Sequence, residues 1–198
     1  KSVWTGIEDA VRDTFKDTVI GRRFLDLYGP LGAGVTAIQM DRGNVKETEQ
    51  NGFVRTEGRQ YVEIPLFYEN FELTWRDLSQ ADRLSIPLDY SRVNASATEL
   101  AIKEDQLVFY GNEHLGTKGL LTDEAVKRVN RSDWGEGENA FMQVAAGLAE
   151  FRSNYVLGRY VLIVSPDIYA SLHRIQPGLG MTALIRLAAR HNRVDDLA

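Results

Sequence analysis

The sequence predicts an α+β fold from three observations. The stretch Ile86 to Gly111 reads as one uninterrupted helix, the chain between Val35 and Trp75 is rich in strand-like alternation, and helical patterns flank that extended region on both sides. In the long stretch a 100° step per residue lines up Tyr90, Ala97, Ala101, Glu104 and Val108, with Val93, Leu100 and Leu107 beside them. Ala95, Ile102 and Phe109 make a second apolar strip, so this helix is expected to pack on more than one side. Pro87 with a cap at Asp89 or Ser91 starts it, and Gly111 ends it.

From the N-terminus, Trp4, Ile7, Val11, Phe15 and Val19 recur at helical spacing, and Thr5 with Glu8 forms a capping-box signature. Ile20-Gly21 breaks this first helix, and the glycine-rich YGPLGAGV favours turns. Val35 to Met40 is a predicted strand, and Asn51-Gly52 is a hairpin signal within a polar, charge-dense segment. A returning strand leads to Tyr61 to Tyr68, where Val62, Ile64, Leu66 and Tyr68 alternate against Tyr61, Glu63, Pro65 and Phe67. Phe71, Leu73 and Trp75 resume the alternation. Two arrangements fit this region: a polar-tipped β-arm projecting from the body, or an antiparallel hairpin inside a compact sheet.

A short helix near Asp77 to Leu84 leads into the long one, and the loop NEHLGTKGLLT follows it. A glycine-containing connector around Trp134 to Gly137 is the best candidate boundary. Beyond it, Ala140 to Phe151 reads as a helix and Tyr160 to Val164 as a buried strand. Ser165-Pro166 opens a helix over Asp167 to Ile175, Gln176-Pro-Gly-Leu-Gly punctuates, and Thr182 opens a last helix through Arg190.

With 198 residues there is room for one domain or two small ones. Apolar residues at 43%, charged residues at 26% and a net charge of -5 with both signs mixed describe a globular protein without a nucleic-acid-binding face or a polybasic membrane anchor. Cysteine is absent, which excludes disulfides and thiolate chemistry and fits a reducing cytosol. No apolar run approaches the roughly 20 residues that span a bilayer, and the N-terminus lacks a signal-peptide layout. A cytoplasmic location is expected, which leaves the sequons at Asn94 and Asn130 as chance matches. A start at Lys1 and an end at Ala198 read as the limits of a fragment.

Little in the chain resembles a catalytic constellation. His114, His173 and His191 lack metal-ligand spacing, and His173 is expected to be a partly buried helix residue. Glu104 and Asp105 are adjacent, point about 100° apart and are poorly placed as an acid–base pair. Glu104, on the apolar stripe, must be hydrogen-bonded, ion-paired or protonated, and a structural carboxylate is the favoured reading. GNEHLGTK has Thr117 before Lys118, follows a helix and fails as a phosphate loop; GPLGAG lacks the dinucleotide spacing. No serine lies in a G-x-S-x-G elbow. Arg22, Arg23 and Asp26, where the first helix meets the glycine turn, read from physics alone as a solvated helix end whose cations complement the dipole.

Five pieces in register carry a family resemblance. IGRRFLDLYGPLGAGV, IPLFYENFELTWRDL, SIPLD, EDQLVFYGNEHLGTKGLLT and YVLIVSPDIYASLHRI together resemble a family 1 encapsulin shell protein, from Ile7 to about Arg190. The resemblance implies a Hong Kong 97-type phage capsid fold. On that basis residues 1–34 are an N-terminal helix and P-domain entry, and 35–76 an E-loop β-arm with its return strand. Residues 77–138 are a P-domain with the long helix as its spine, and 139–198 an incomplete A-domain whose family counterpart continues further. The projecting reading of the arm is then favoured.

The function implied is structural: self-assembly with copies of itself into a closed icosahedral nanocompartment in the cytoplasm, with no active site. Its cargo would carry a terminal targeting peptide, the candidates being a ferritin-like iron-storage protein or a dye-decolourising peroxidase. GRRFLDLYGPLGAGV and LTWRDL favour the iron-storage type. The resemblance places cargo-peptide binding at Phe15, an apolar wall, with Arg22 and Asp26 as its polar rim, reversing the reading of the arginines as a bare helix end. Val11 and Val19 join as further candidates through their helical spacing from Phe15. Some members bind flavin through a tryptophan before the spine helix. Here Arg76 takes that place with Trp75 one residue earlier, on the other face of a strand, so no flavin or other cofactor is expected. Nucleic acid and membrane are not expected partners. The alternative is a phage or prophage major capsid protein, against which the lack of basic bias argues; a hydrolase or bacteriocin comes last.

Overall fold

The computed structural model describes residues 3–40 and 45–173, together with Gly180, Thr182 and Ile185. The chain divides into two compact units, Lys1–Val126 and Lys127–Ala198.

The first unit is built on two helices, α1 (Val3–Thr18) and α3 (Ser91–Tyr110), packed face to face. Ile7 and Val19 from the first segment and Val93, Ala97 and Ala101 from the second are buried. The spacing of Val93, Ala97 and Ala101 is the four-residue row expected of the core stripe. Small side chains let the helices approach, and Gly6 continues that logic: a Cβ there would run into the Tyr90 ring and hydroxyl. Helix α1 is already helical at Val3, two residues before Thr5, so the Thr5 and Glu8 pair lies inside the helix and not at its cap.

The arm consists of two antiparallel ladders. Strand β1 (Ala37–Met40) pairs with β4 (Gln60–Glu63), and β2 (Lys46–Gln50) pairs with β3 (Phe53–Glu57). Asn51 and Gly52 form the tip, both at positive φ, 54° and 79°, as a two-residue turn of the right twist for a hairpin requires. Every residue of β2 and nearly all of β3 is exposed, so the outer ribbon has no core face among the described residues.

The returning strand is shorter than its alternation predicts. Pairing stops at Glu63 apart from one bond, Ile64 N–H to Thr36 O at 2.8 Å, and Pro65 then has no N–H to offer. From there the chain runs extended beside α3, whose side chains bind its carbonyls. Ser96 Oγ donates to Asn70 O at 2.9 Å, Arg92 Nη1 donates to Glu72 O at 3.3 Å, and Lys103 pairs with Glu69. Pro65, Phe67, Phe71 and Leu73 are the less exposed side chains and Leu66 and Tyr68 the open ones, so the alternation survives without a sheet.

Trp75 opens helix α2 (Trp75–Leu84), capped by Thr74, whose Oγ1 accepts from Asp77 N–H at 3.2 Å. Trp75 and Arg76 are therefore helical neighbours about 100° apart, and the opposite-face relation expected of a strand does not hold. The long helix starts at Ser91 and not at Ile86, because a residue before proline avoids the helical region and the Asp89 carboxylate, one residue before the N-cap Tyr90, takes the first free N–H of the new start. Asp89 Oδ1 accepts from Ser91 N–H at 2.9 Å and Ser91 Oγ at 2.5 Å. Gly111, at φ 73°, ends it as expected. The following segment folds back as a short hairpin, β5 (Gly111–Asn112) with β6 (Thr117–Lys118). Leu120 and Leu121 N–H then close the free carbonyls of Val108 and Phe109 at 2.9 and 2.7 Å.

In the second unit, α4 (Asn139–Ser153) and α5 (Pro166–Leu172) share a small core of Ala140, Ile168 and Leu172, against which Trp134 and Val164 pack. Gln143 fastens the preceding connector: its Oε1 accepts from Trp134 Nε1 at 2.6 Å and Ser132 N–H at 3.0 Å, and its Nε2 donates to Asn130 O at 2.6 Å. Tyr160 to Val164 is not a buried strand. No described segment pairs with it, and Val161, Leu162 and Ile163 are exposed. Pro166 at the first helical position starts α5 as predicted, and the described helix ends at Leu172. His173, its C-cap, is exposed and not partly buried, with Nδ1 3.0 Å from Tyr169 O. Arg174, Ile175, His191, most of Gln176 to Gly180 and most of the predicted last helix lie outside the described residues.

Candidate functional site

Two of the residues singled out near the first helix end, Phe15 and Arg22, meet at one corner. Helix α1 delivers Val11 and Phe15, both half-buried, to the side that faces α3. After Thr18 the chain bends, and a single 3-10 turn, Gly21–Arg23, redirects it. The bend leaves backbone donors without helical partners, and Asp105 supplies them: its two carboxylate oxygens accept from Ile20 N–H and Gly21 N–H, each at 2.8 Å. Gly21 is buried against α3, where a Cβ would lie 3.2 Å from Asp105 Oδ1 and 3.4 Å from a Val108 methyl.

Arg22 is fixed from two directions. Its Nε and Nη2 donate to the two oxygens of Glu104 at 2.6 and 2.7 Å, a bidentate fork, and its guanidinium carbon stands 4.7 Å from the centre of the Phe15 ring. The hydrogen bonds to Glu104 raise the Arg22 pKa further above its already high value, against the opposing effect of desolvation. Arg22 is thus a permanent cation laid on an aromatic face. Arg23 turns the other way, its Nη2 donating to the Asp17 carbonyl at 2.6 Å near the C-terminus of α1. Phe24 packs on Phe109, ring centres 6.0 Å apart, so the second apolar strip of α3 is partly covered here.

Of the five predicted site residues, the structure brings Phe15 and Arg22 into direct contact and sets Val11 one helical turn before Phe15 on α1. Val19, only 2% exposed, belongs to the packing beneath the corner and not to a surface that a ligand could touch. Asp26 is exposed beyond the 3-10 turn, next to the exposed Leu25 and Leu27. The sequence left Glu104 undecided among three states; it is ion-paired. Asp105 carries the backbone of the corner, a role without a sequence signal, since its partners lie 84 and 85 positions away. Among the described residues no group of three or more metal-ligating side chains converges. The corner offers an aromatic wall, a cation already half-engaged, and exposed apolar and acidic neighbours.

The family model described as "Encapsulating protein for peroxidase" matches residues 1–191. The chain is 32% identical over 186 residues to the "Type 1 encapsulin shell protein EncA" of Myxococcus xanthus, covering 90% of this chain and 65% of that protein. It is 32% identical over 187 residues to a "Diheme-cytochrome-encapsulin shell fusion protein" of Kuenenia stuttgartiensis, covering 91% and 52% respectively. The chain therefore spans about half to two thirds of the length of these relatives. Among solved structures, a virus-like particle from Pyrococcus furiosus superposes with a TM-score of 0.69 at 22% identity, over 97% of this chain and 72% of that one. That likeness shows the α+β capsid-type fold expected from the sequence. By the match over nearly its whole length, the chain belongs to the encapsulin shell protein family.

Proposed function

We propose that this protein is a structural subunit of an icosahedral nanocompartment, assembled from copies of itself in the cytoplasm, that encloses cargo enzymes and is not itself an enzyme. The observation that carries the reading is the amount of large apolar surface left open on the first unit. Tyr28 is 82% exposed, Leu66 89%, Tyr68 73% and Trp75 81%, and the outer arm has no core face among the described residues. Open aromatic and aliphatic surface of this kind is covered in a closed symmetric assembly, where every interface is repeated. Family membership supports the same reading, and no helix among the described residues is long and apolar enough to cross a membrane. On this reading residues 35–76 act as the E-loop, 77–138 as the P-domain around α3, and 139–198 belong to the A-domain.

The corner between α1 and α3 is the docking place for a terminal peptide of the cargo. Phe15 and Val11 form the apolar wall, Arg22 and Asp26 the rim, and Val19 supports them from beneath. A ferritin-like iron-storage protein is the first candidate cargo and a dye-decolourising peroxidase the second. Negative-stain microscopy of the purified full-length protein, with mass spectrometry of what co-purifies, tests the shell. Closed particles holding a second protein are expected; monomers or small oligomers overturn the reading, and particles filled with nucleic acid replace it with a phage-type capsid. For the corner, Phe15→Asp is expected to leave shells closed and empty, and undiminished loading would move the docking place elsewhere.

A further inference from the structure

Resting on that docking reading, we infer that Glu104 is a positioning residue for cargo recognition: from α3 it holds the Arg22 guanidinium over the Phe15 ring. An arginine on an exposed turn ordinarily samples many rotamers, and ordering one costs free energy at the moment of binding. Here the cost is met beforehand, because the bidentate fork fixes the plane of the guanidinium and leaves Phe15 4.7 Å beneath it. Glu104 is less exposed than Arg22, 22% against 44% for the side chains, so the carboxylate is the fixed member of the pair and the arginine the presented one. The fork occupies Nε and Nη2. Both N–H groups of Nη1 and the second N–H of Nη2 lie outside the fork, and these are the donors that a peptide carbonyl laid along the ring would meet.

The test is a double-mutant cycle on the full-length shell, read as cargo protein per particle by mass spectrometry. Glu104→Gln keeps the shape of the side chain and loses the charge-assisted fork. It is expected to lower loading about tenfold, the weight of one such hydrogen bond, with particles still closed. Because Glu104 acts through Arg22, the double variant Glu104→Gln with Arg22→Ala should load no less than Arg22→Ala alone. A purely structural carboxylate would instead give additive losses, and additivity overturns the inference, as does normal loading of Glu104→Gln. If Glu104→Gln fails to assemble, Arg22→Lys serves: it keeps the cation, cannot make the fork and should lower loading in closed particles, whereas wild-type loading overturns the inference. Normal loading of Phe15→Asp in the same series removes the docking reading and this inference with it. Impaired Phe15→Asp beside unaffected Glu104→Gln removes the inference alone.

Discussion

Arg22 and Glu104 stand 82 positions apart and meet through two bonds of 2.6 and 2.7 Å, while the neighbouring Asp105 takes the two backbone N–H groups just before Arg22. Two adjacent carboxylates on α3 thus fasten the end of α1 in different ways, one through a side chain and one through the main chain. Their 100° divergence, which disqualifies them as an acid–base pair, is what lets them hold two points of one bend.

The two fastenings differ in energetic weight. Arg22 is 44% exposed at its side chain, so solvent screens the ion pair and its removal should cost about 1 kcal/mol or less. Asp105→Ala leaves the part-buried Gly21 N–H without its acceptor and should cost about 1–3 kcal/mol. The midpoint of thermal unfolding should therefore fall further for Asp105→Ala than for Arg22→Ala. Equal shifts would refute this ranking.

Two glycine substitutions should move stability in opposite directions. A Cβ at Gly119 would run into the backbone of Phe109 and Gly111, where β6 folds back on the end of α3, and backbone cannot step aside as a side chain can. Gly119→Ala should cost several kcal/mol, on the order of 3 or more, or prevent folding. Gly147 lies inside α4 with nothing within 4 Å of the position a Cβ would take. Gly147→Ala should stabilise by about 0.5–1 kcal/mol through helix propensity. Chemical denaturation of the two variants decides it; a destabilised Gly147→Ala would mean that the open space is used.

Acid should loosen α3 at its start and along the extended segment beside it. Hydrogen bonds from the Ser91 side chain and backbone hold the Asp89 carboxyl below its ordinary range, and the bond from Lys103 does the same for Glu69. A carboxylate with a lowered folded pKa binds protons less readily folded than unfolded. Its contribution is complete above the unfolded value and is lost as pH falls through the folded one, hence below about pH 4. Asp89→Asn and Glu69→Gln should each flatten the acid side of a plot of unfolding midpoint against pH, with little change near neutrality beyond a constant offset. An acid limb unchanged in both variants would place its origin in other groups.

What the sequence made legible follows from how local each signal is. The core row Val93, Ala97, Ala101, the Asn51-Gly52 turn, the Gly111 stop and the Ser165-Pro166 start depend on neighbours within a turn or two, and all are present. The Tyr160 to Val164 strand was misread because a strand depends on a partner, and β-branched apolar sequence reports burial tendency without saying who pairs. Trp75 was misread because period-two alternation ran into a helix whose cap, Thr74, is a single residue. At the corner, Phe15 and Arg22 are singled out by resemblance alone, and their contact joins residues on either side of the bend, too far apart in the chain for a local pattern to report. Glu104 is marked by its place on the apolar stripe, though its partner, 82 positions earlier, is not; Asp105, whose partners lie 84 and 85 positions earlier, leaves no mark in the local pattern.

The arm's outer ribbon should respond to change separately from the helical body. Strand β2 is exposed along its whole length and, among the described residues, pairs with β3 alone, so its order depends on the turn and on the ladder. Gly52 has φ 79°, a conformation in which a β-branched side chain is strained by about 1–3 kcal/mol. In Gly52→Val the amides of β2 and β3 should exchange with solvent severalfold faster, while those of α3, which draws its core from α1, keep their protection. Faster exchange in α3 as well would mean that the ribbon supports the body through contacts beyond its own ladder. If α3 is unchanged and closed particles no longer form, the ribbon's contribution is to contacts between copies, and its exposed sequence is accounted for by assembly and not by folding.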